Sequence, residues 1–243
     1  MTETDFLKDY DPSAFQRPSV AVDLVLLGLR ENQPTVLLIK REQHPHVGRW
    51  ALPGGFVGID ESLDGAAARV LREKAGMANA HLEQLYTFGA VDRDPRMRIV
   101  SVAYLALLTE QGLDAVLRAM PALLPAAIQV PWAGETGGPV KMLSPDNETL
   151  TLAFDHADIL GTAMLRLRGK LDYSDVAFAL LPELFTLRQL QDVHEAILDT
   201  TLNKPAFRRR QLDKGWLAPT GAHEAGAAYR PAELYRFQRP VIN

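Results

Sequence analysis

The sequence predicts an α/β protein in two parts: an α/β/α sandwich over residues 1–171, then a helical unit ending in a hairpin over residues 172–243. Three observations lead there. Aliphatic runs with strand character surround one glycine-led helix between Gly55 and Met77. The chain after Tyr173 turns to amphipathic helices and then to a turn-rich end. Charge also changes sign along the chain. Residues 164–243 hold 12 Lys and Arg against 9 Asp and Glu, a net of +3, while residues 1–163 hold 14 against 21, a net of −7. A difference of that kind turns one part toward a polyanion.

Each element has its own cause. PSVAVDLVLLGLR, residues 18–30, is an unbroken β-branched and aliphatic run and reads as a buried strand. Glu31–Pro34 forms a turn and Thr35–Lys40 a second strand, so the pair is a hairpin. After the polar loop His44–Trp50, Ala51–Gly55 leads into a helix over Glu61–Ala75, where Leu63, Ala67, Val70, Leu71 and Lys74 recur at helical spacing. Leu82–Phe88 and Arg98–Leu108 are strands around the loop DRDPRM. Gly112–Asn147 is the least regular stretch. It reads as an Ala/Leu-rich helical patch followed by VPWAGETGGPVKMLSPDN, an insertion or mobile flap. Leu152–Leu171 is an amphipathic helix with Asp155 near its N-cap, and it closes the first part.

In the second part, Asp175–Leu181 is short, apolar and stopped by Pro182. Thr186 caps LRQLQDVHEAIL, whose Leu187, Leu190, Val193, His194 and Ile197 line one face. Asn203 caps KPAFRRRQLDKG, with Pro205 in the first turn, Phe207 and Leu212 facing inward, and Arg208, Arg209 and Arg210 spread around the outer and flanking surfaces. Gly221, Gly226 and YRPAELYRF suggest a hairpin. Helix, helix, basic helix and hairpin is the order of a winged helix-turn-helix, which sets its second helix in the DNA major groove. Three adjacent arginines alone equally fit a solvated helix face. The preceding helix, the hairpin and the positive charge favour DNA. His194 has no metal-binding company and reads as a core or interface histidine.

Composition narrows the classes. A chain of 243 residues with 47% hydrophobic and 23% charged content is that of a globular protein of one large or two ordinary domains. No apolar run has the length of a membrane span and the acidic start MTETDFLKDYD is no signal peptide, so a cytoplasmic protein is expected. With no cysteine, disulfides, cysteine–zinc sites and thiol catalysis are excluded.

The stretch GFVGIDESLDGAAARVLREKAGM resembles the Nudix box, G-x5-E-x7-R-E-U-x-E-E-x-G-U with U a bulky aliphatic residue. Gly55, Glu61, Arg69, Leu71, Glu73, Gly76 and Met77 fall on fixed positions without a gap, while Val70 and Lys74 replace two acidic residues. The resemblance implies a loop and helix that hold a divalent metal against a pyrophosphate. With Val70, Glu73 and Lys74 on one helical face, three carboxylates have become one carboxylate, one methyl-rich side chain and one cation. Valine binds no metal, and an ammonium repels one. Loss of hydrolysis is therefore expected, with catalytic residues none. Glu61 and Arg69 are at least as well explained as a retained structural pair. Glu73 is the remaining metal candidate, no cofactor is required, and magnesium enters only there. Restoring Glu at both replaced positions is expected to recover metal binding before turnover.

Taken with LAFDHADIL, FTLRQLQDVHEAIL, LNKPAFRRRQL, YDPSAFQRPSVAVDLVLL and LEQLYTFGAVDRDPR, the variant box RVLREKAG resembles the Nudix-related transcriptional regulators of NAD metabolism, the NrtR family, over nearly the whole chain. The resemblance implies a Nudix α/β/α sandwich followed by a winged helix-turn-helix. It also implies a homodimeric repressor of NAD biosynthesis or salvage genes, with operator DNA as one partner and ADP-ribose or a related NAD-derived nucleotide as effector. The expected effector residues are Arg41, Trp50, Gly54, Gly55, Phe56, Arg69, Glu73 and Phe88, with core packing the better reading for at least one aromatic. Asp92, Arg93 and Arg96 belong to the pocket rim or a dimer interface. The expected DNA-binding residues are Thr186, Arg188, Asn203, Lys204, Arg208, Arg209, Arg210 and Arg230. Three alternatives stay open: an active ADP-ribose pyrophosphatase with a carboxylate supplied by Glu135 or Asp92, a Nudix regulator of sugar catabolism, and a C-terminal protein-interaction module.

Overall fold

The computed structural model describes residues 2–78, 80–224 and 231–239. A helix α1 (Glu3–Asp9) precedes the first long strand, β1 (Ser19–Arg30). β1 returns through a two-residue turn as β2 (Gln33–Lys40); Glu31 and Asn32 both take positive φ, 50° and 59°, the twist that a tight hairpin needs. The expected hairpin is present.

Successive side chains of a strand point to opposite faces, and β1 supplies both. Val22, Leu24 and Leu26 enter one apolar cluster, and Val25, Leu27 and Leu29 enter another. The first cluster is covered by α2 (Leu63–Ala75) and α3 (Glu110–Ala119), the second by α4 (His156–Lys170). The sheet also contains β3 (Trp50–Ala51), β4 (Gly54–Phe56), β5 (Glu83–Phe88), β6 (Ile99–Leu108), β7 (Leu123–Gln129), β8 (Lys141–Leu143) and β9 (Thr149–Leu150). Its order is β5-β6-β1-β2-β7-β8-β9, with β1 and β6 parallel and β3 and β4 pairing with β2 and β1. This is the α/β/α sandwich expected from the sequence.

Three elements differ from expectation. The stretch 112–147 holds the end of α3, where a helical patch was expected, and then two sheet strands rather than an insertion: Leu123–Gln129 pairs along β2 from Thr35↔Ala127 to Ile39↔Leu123, and Lys141–Leu143 pairs with it in turn. Leu, Pro and Ala carry no strand preference of their own, and the exposed flank of β2 decides their conformation. α4 starts later than expected, because Leu152 bridges Trp50 and the Ala153 N–H bonds the Trp50 carbonyl. On α2, the side chains of Leu63 and Lys74 stay at the surface, and Ala66, Ala67, Val70, Leu71 and Ala75 form the buried stripe.

A 3-10 turn (Val176–Leu180) leads to α5 (Leu187–Leu198), α6 (Lys204–Asp213) and the antiparallel hairpin of β10 (Leu217–His223) and β11 (Glu233–Phe237). Phe185 clamps this hairpin through paired backbone bonds with Tyr235 of 3.0 and 2.8 Å. Arg230 and Gly226 lie outside the described residues. The apolar cluster on the α4 face runs without a break from the sheet through Leu160, Met164 and Leu167 into Phe185, Leu190, Val193, Ile197 and Phe207. Among the described residues no helix is long and apolar enough to cross a membrane.

Candidate functional site

The box folds as its spacing requires. Ser62 caps α2 by accepting the Gly65 N–H at 3.0 Å, and Gly76 closes it at φ 64°. Arg69 reaches back to the loop, donating to both oxygens of Glu61 at 2.8 and 2.9 Å and to the Phe56 carbonyl at 2.9 Å. The Arg69 hydrogen bonds, helped by the Gly58 N–H, hold the Glu61 carboxyl down at about 2. This pair is a clasp joining loop to helix. Its third contact is Glu73, 3.4 Å away.

The face argued from spacing is not one surface. Val70 is 1% exposed and packs against Gly55, where an added Cβ would lie 3.1 Å from the Val70 Cγ2. Glu73 and Lys74 point to solvent. A buried valine, a carboxylate already bound to Arg69 and an adjacent ammonium match poorly a magnesium centre, which takes one or two free carboxylates together with substrate phosphates. Glu135 does not supply another, since its carboxylate lies against Gly169 of α4, across the sheet from α2. Asp92 is exposed in the loop before β6.

A cavity of about 280 Å³ opens beside the box, between β1, β4, the loop 89–98 and the start of α4. Its floor is polar and buried. Ser101 donates to Asp23 at 2.6 Å, and the Arg93 Nη2 lies 3.5 Å from the same carboxylate. Arg93 also grips Asp155 with two bonds of 2.8 and 2.6 Å. Burial pulls the Arg93 pKa down, but Asp155 and Asp23 outweigh it and the net shift is upward. Asp155 is thus diverted from capping α4. The Leu52 N–H donates to the His156 Nδ1 at 2.9 Å, leaving Nε2 to carry the proton of the neutral ring toward Asp23, 3.7 Å away. Burial holds His156 below the usual histidine range. Gly54 admits Asp23 here, because an added Cβ would sit 2.4 Å from its Oδ1.

The mouth is aromatic and cationic. Phe154, at φ 52°, holds its ring 4.8 Å from the Arg41 guanidinium and 5.9 Å from that of Arg96. Arg96 also lies 5.5 Å from the ring of Phe56, which is 44% exposed. Arg96 is paired with Asp94, whereas Arg41 donates to the Pro45 carbonyl at 2.8 Å and has no carboxylate partner among the described residues. Burial, then the nearby Arg96, lowers the Arg41 pKa. A guanidinium without a carboxylate partner among the described residues, in a mouth that also holds the exposed ring of Phe56, suits an oxyanion linked to a flat ring.

Of the sequence-derived pocket residues, Arg41, Gly54, Gly55 and Phe56 line this cavity, as do Arg93 and Arg96. Trp50 and Phe88 instead pack against the core on the α4 side of the sheet, while Arg69 and Glu73 stay on the clasp. Asp23, Phe154 and His156 went unforeseen. A lone acid inside the apolar run SVAVDLVLL was the one available signal for Asp23.

In the second part, Thr186 is buried and its hydroxyl accepts the Gln189 N–H in a capping box, so it supports α5. Arg188 is tied to Asp192 at 2.8 Å. The Asn203 side chain caps α6 at 3.0 Å. Lys204 and Arg209 are exposed and form no ion pair among the described residues. Arg210 lies 5.9 Å over Phe207 and 4.0 Å from Asp172. Arg208 is half-buried, its Nε enclosed without a hydrogen-bond partner among the described residues. Leu212, expected inside, is 47% exposed; Gln211 takes the inward position, four residues from Phe207 on the same face. His194 is in the core as expected, 5.0 Å from the Phe207 ring.

Residues 17–117 match the NUDIX domain family and residues 177–237 the NrtR DNA-binding winged helix domain. The ADPR responsive transcriptional repressor NtrR of Acinetobacter baylyi is 36% identical over 238 residues, covering 97% of this chain and 88% of that protein. The crystal structure of Shewanella oneidensis NrtR complexed with a 27mer DNA superposes with a TM-score of 0.73 at 35% identity, over 90% of this chain and 93% of that one. The NUDIX domain of the same Shewanella protein complexed with ADP ribose gives a TM-score of 0.51 at 37% identity, over 69% of this chain and 99% of that one. A Nudix sandwich with an altered box, packed by one core onto a winged helix, and a likeness spanning almost its whole length make this chain a member of the NrtR family.

Proposed function

We infer that the protein is a DNA-binding transcriptional repressor of NAD biosynthesis or salvage genes that responds to ADP-ribose or a related NAD-derived nucleotide. The observation that carries this reading is the joint presence of a cationic, aromatic pocket and an exposed basic helix on one continuous core. In the pocket, Arg41 meets the diphosphate and the rings of Phe56 and Phe154 receive the flat part of the ligand. Lys204 and Arg209 of α6 contact operator phosphates or base edges, with Asn203 and Arg210 flanking them. The protein acts as a homodimer, so that two α6 helices read two half-sites.

The protein binds its nucleotide without cutting it. The buried Val70 and the exposed Lys74 support this reading, since neither helps a divalent ion approach a pyrophosphate. A ligand that persists serves as a signal, provided that it favours one conformer over another. The test is a mobility shift on the protein's own upstream DNA with and without ADP-ribose, beside an assay for AMP with magnesium. Retarded DNA that ADP-ribose releases, with ADP-ribose intact, is the expected result. Rapid AMP formation without DNA binding would establish the pyrophosphatase reading instead.

A further inference from the structure

α4 touches both proposed sites. At its start, Asp155 holds Arg93 and His156 lines the pocket. Fifteen residues make it about 22 Å long. Toward its other end, the buried Arg168 donates from Nε to the Ile197 carbonyl at 2.9 Å, and from Nη1 to the carbonyls of Trp132 and Gly134 at 3.2 and 3.0 Å. Its guanidinium also lies 4.8 Å from the Trp132 ring.

Ile197 belongs to the last turn of α5. Just beyond it, Asp199 ends the helix at φ 53°, and Glu195 accepts the Leu202 N–H at 2.8 Å, one residue before the α6 cap Asn203. One side chain of α4 therefore grips the turn that aims α6. The middle of α4 is also confined: a Cβ on Gly161 would stand 1.9 Å from the Gly138 carbonyl oxygen, so the loop lies directly on the helix backbone. Three carbonyls in two directions suit a planar fork and not an ammonium.

We propose that α4 is a rigid strut carrying pocket occupancy to the winged helix, with Arg168 the positioning residue that couples the two. A ligand that disturbs the Arg93–Asp155 bonds moves the start of α4, and Arg168 passes that movement to the α5–α6 turn. Helix shifts of about 1–2 Å are common in such switches. The proposal rests on the reading that ADP-ribose weakens operator binding, and its test separates the two.

ADP-ribose affinity by calorimetry and operator affinity by mobility shift are measured on the full chain, for wild type, Arg168→Met and Arg168→Lys, with operator binding repeated in saturating ADP-ribose. Wild type is expected to lose operator affinity by a factor within the usual range of about 5 to 150. Arg168→Met should bind either partner alone within about threefold of wild type and lose less than about threefold on adding ADP-ribose. Arg168→Lys should behave likewise, since charge without the fork does not restore the joint. A wild-type degree of release in both variants overturns the strut and leaves the functional reading intact. No effect of ADP-ribose on wild type overturns that reading. Should either variant fail to fold, amide exchange on wild type decides: ADP-ribose must alter protection at residues 197–203, and a change confined to the pocket overturns the strut.

Discussion

Val70 stands where the box pattern has a glutamate, and its side chain is enclosed against Gly55. Val70→Glu is expected to lower unfolding free energy by more than about 2 kcal/mol, because the carboxylate must be buried or must open the loop. Lys74→Glu, at an exposed position, should stay within about 0.5 kcal/mol of wild type. Denaturant titration of the two variants checks this, and equal losses would contradict the burial argument. Recovery of metal binding by both reversions together must therefore offset the cost of a glutamate at position 70. His156 makes a second prediction. Burial depresses its pKa in the fold below the 6.5 of an ordinary histidine, and burial depresses His194 too. The unfolded chain then binds more protons below that value, so stability is full above about pH 6.5 and falls as pH drops below it. Melting temperatures at stepped pH should show this fall, shallower in His156→Gln, whose amide oxygen can still accept the Leu52 N–H. Identical slopes would remove His156 from the account. Of the pocket floor, only Arg93 was legible in sequence, as a rim or interface residue; Asp23 and His156 come from distant segments that only the sheet brings to it.

At the scale of elements, α5 and α6 treat their basic residues differently. Arg209 is exposed and unpaired among the described residues, whereas Arg188 on α5 is held by Asp192. Arg209→Ala is expected to weaken operator binding and to reduce the salt dependence by about one phosphate contact. Arg188→Ala should leave that slope nearly unchanged. Binding isotherms across a salt series measure both, and a larger slope change for Arg188 would reassign the DNA surface. The elements themselves were mostly readable. β1 and β2 announce themselves as aliphatic runs, α5 by its period and its cap Thr186, and α6 by its cap Asn203, so there local preference and tertiary packing agree. β7 did not, because LLPAAIQ becomes a strand only through pairing with β2. The inward register of Gln211 over Leu212 was hidden for a similar reason. Hydrophobicity favours leucine, but the phase set by Phe207 carries position 211 to the core.

For the whole molecule, the apolar cluster on the α4 face decides how the two parts behave. It begins in the sheet at Val25 and Leu27 and ends in the winged helix at Ile197 and Phe207, with α4 between. Calorimetric unfolding is therefore expected to give one transition whose measured and van't Hoff enthalpies agree. Two resolved transitions would mean that the shared core does not bind the parts together. The sequence implied two units but not that they share an interior, because periodicity reports which residues are buried and not what they are buried against. One practical consequence concerns protein engineering. The DNA-reading part is no exchangeable cassette: a graft cut between Leu171 and Asp172 would bring Phe185, Leu190 and Ile197 to a new host without the α4 surface that covers them. A chimera that changes operator preference must therefore transplant the α4 face with the winged helix, or redesign the host to resemble it.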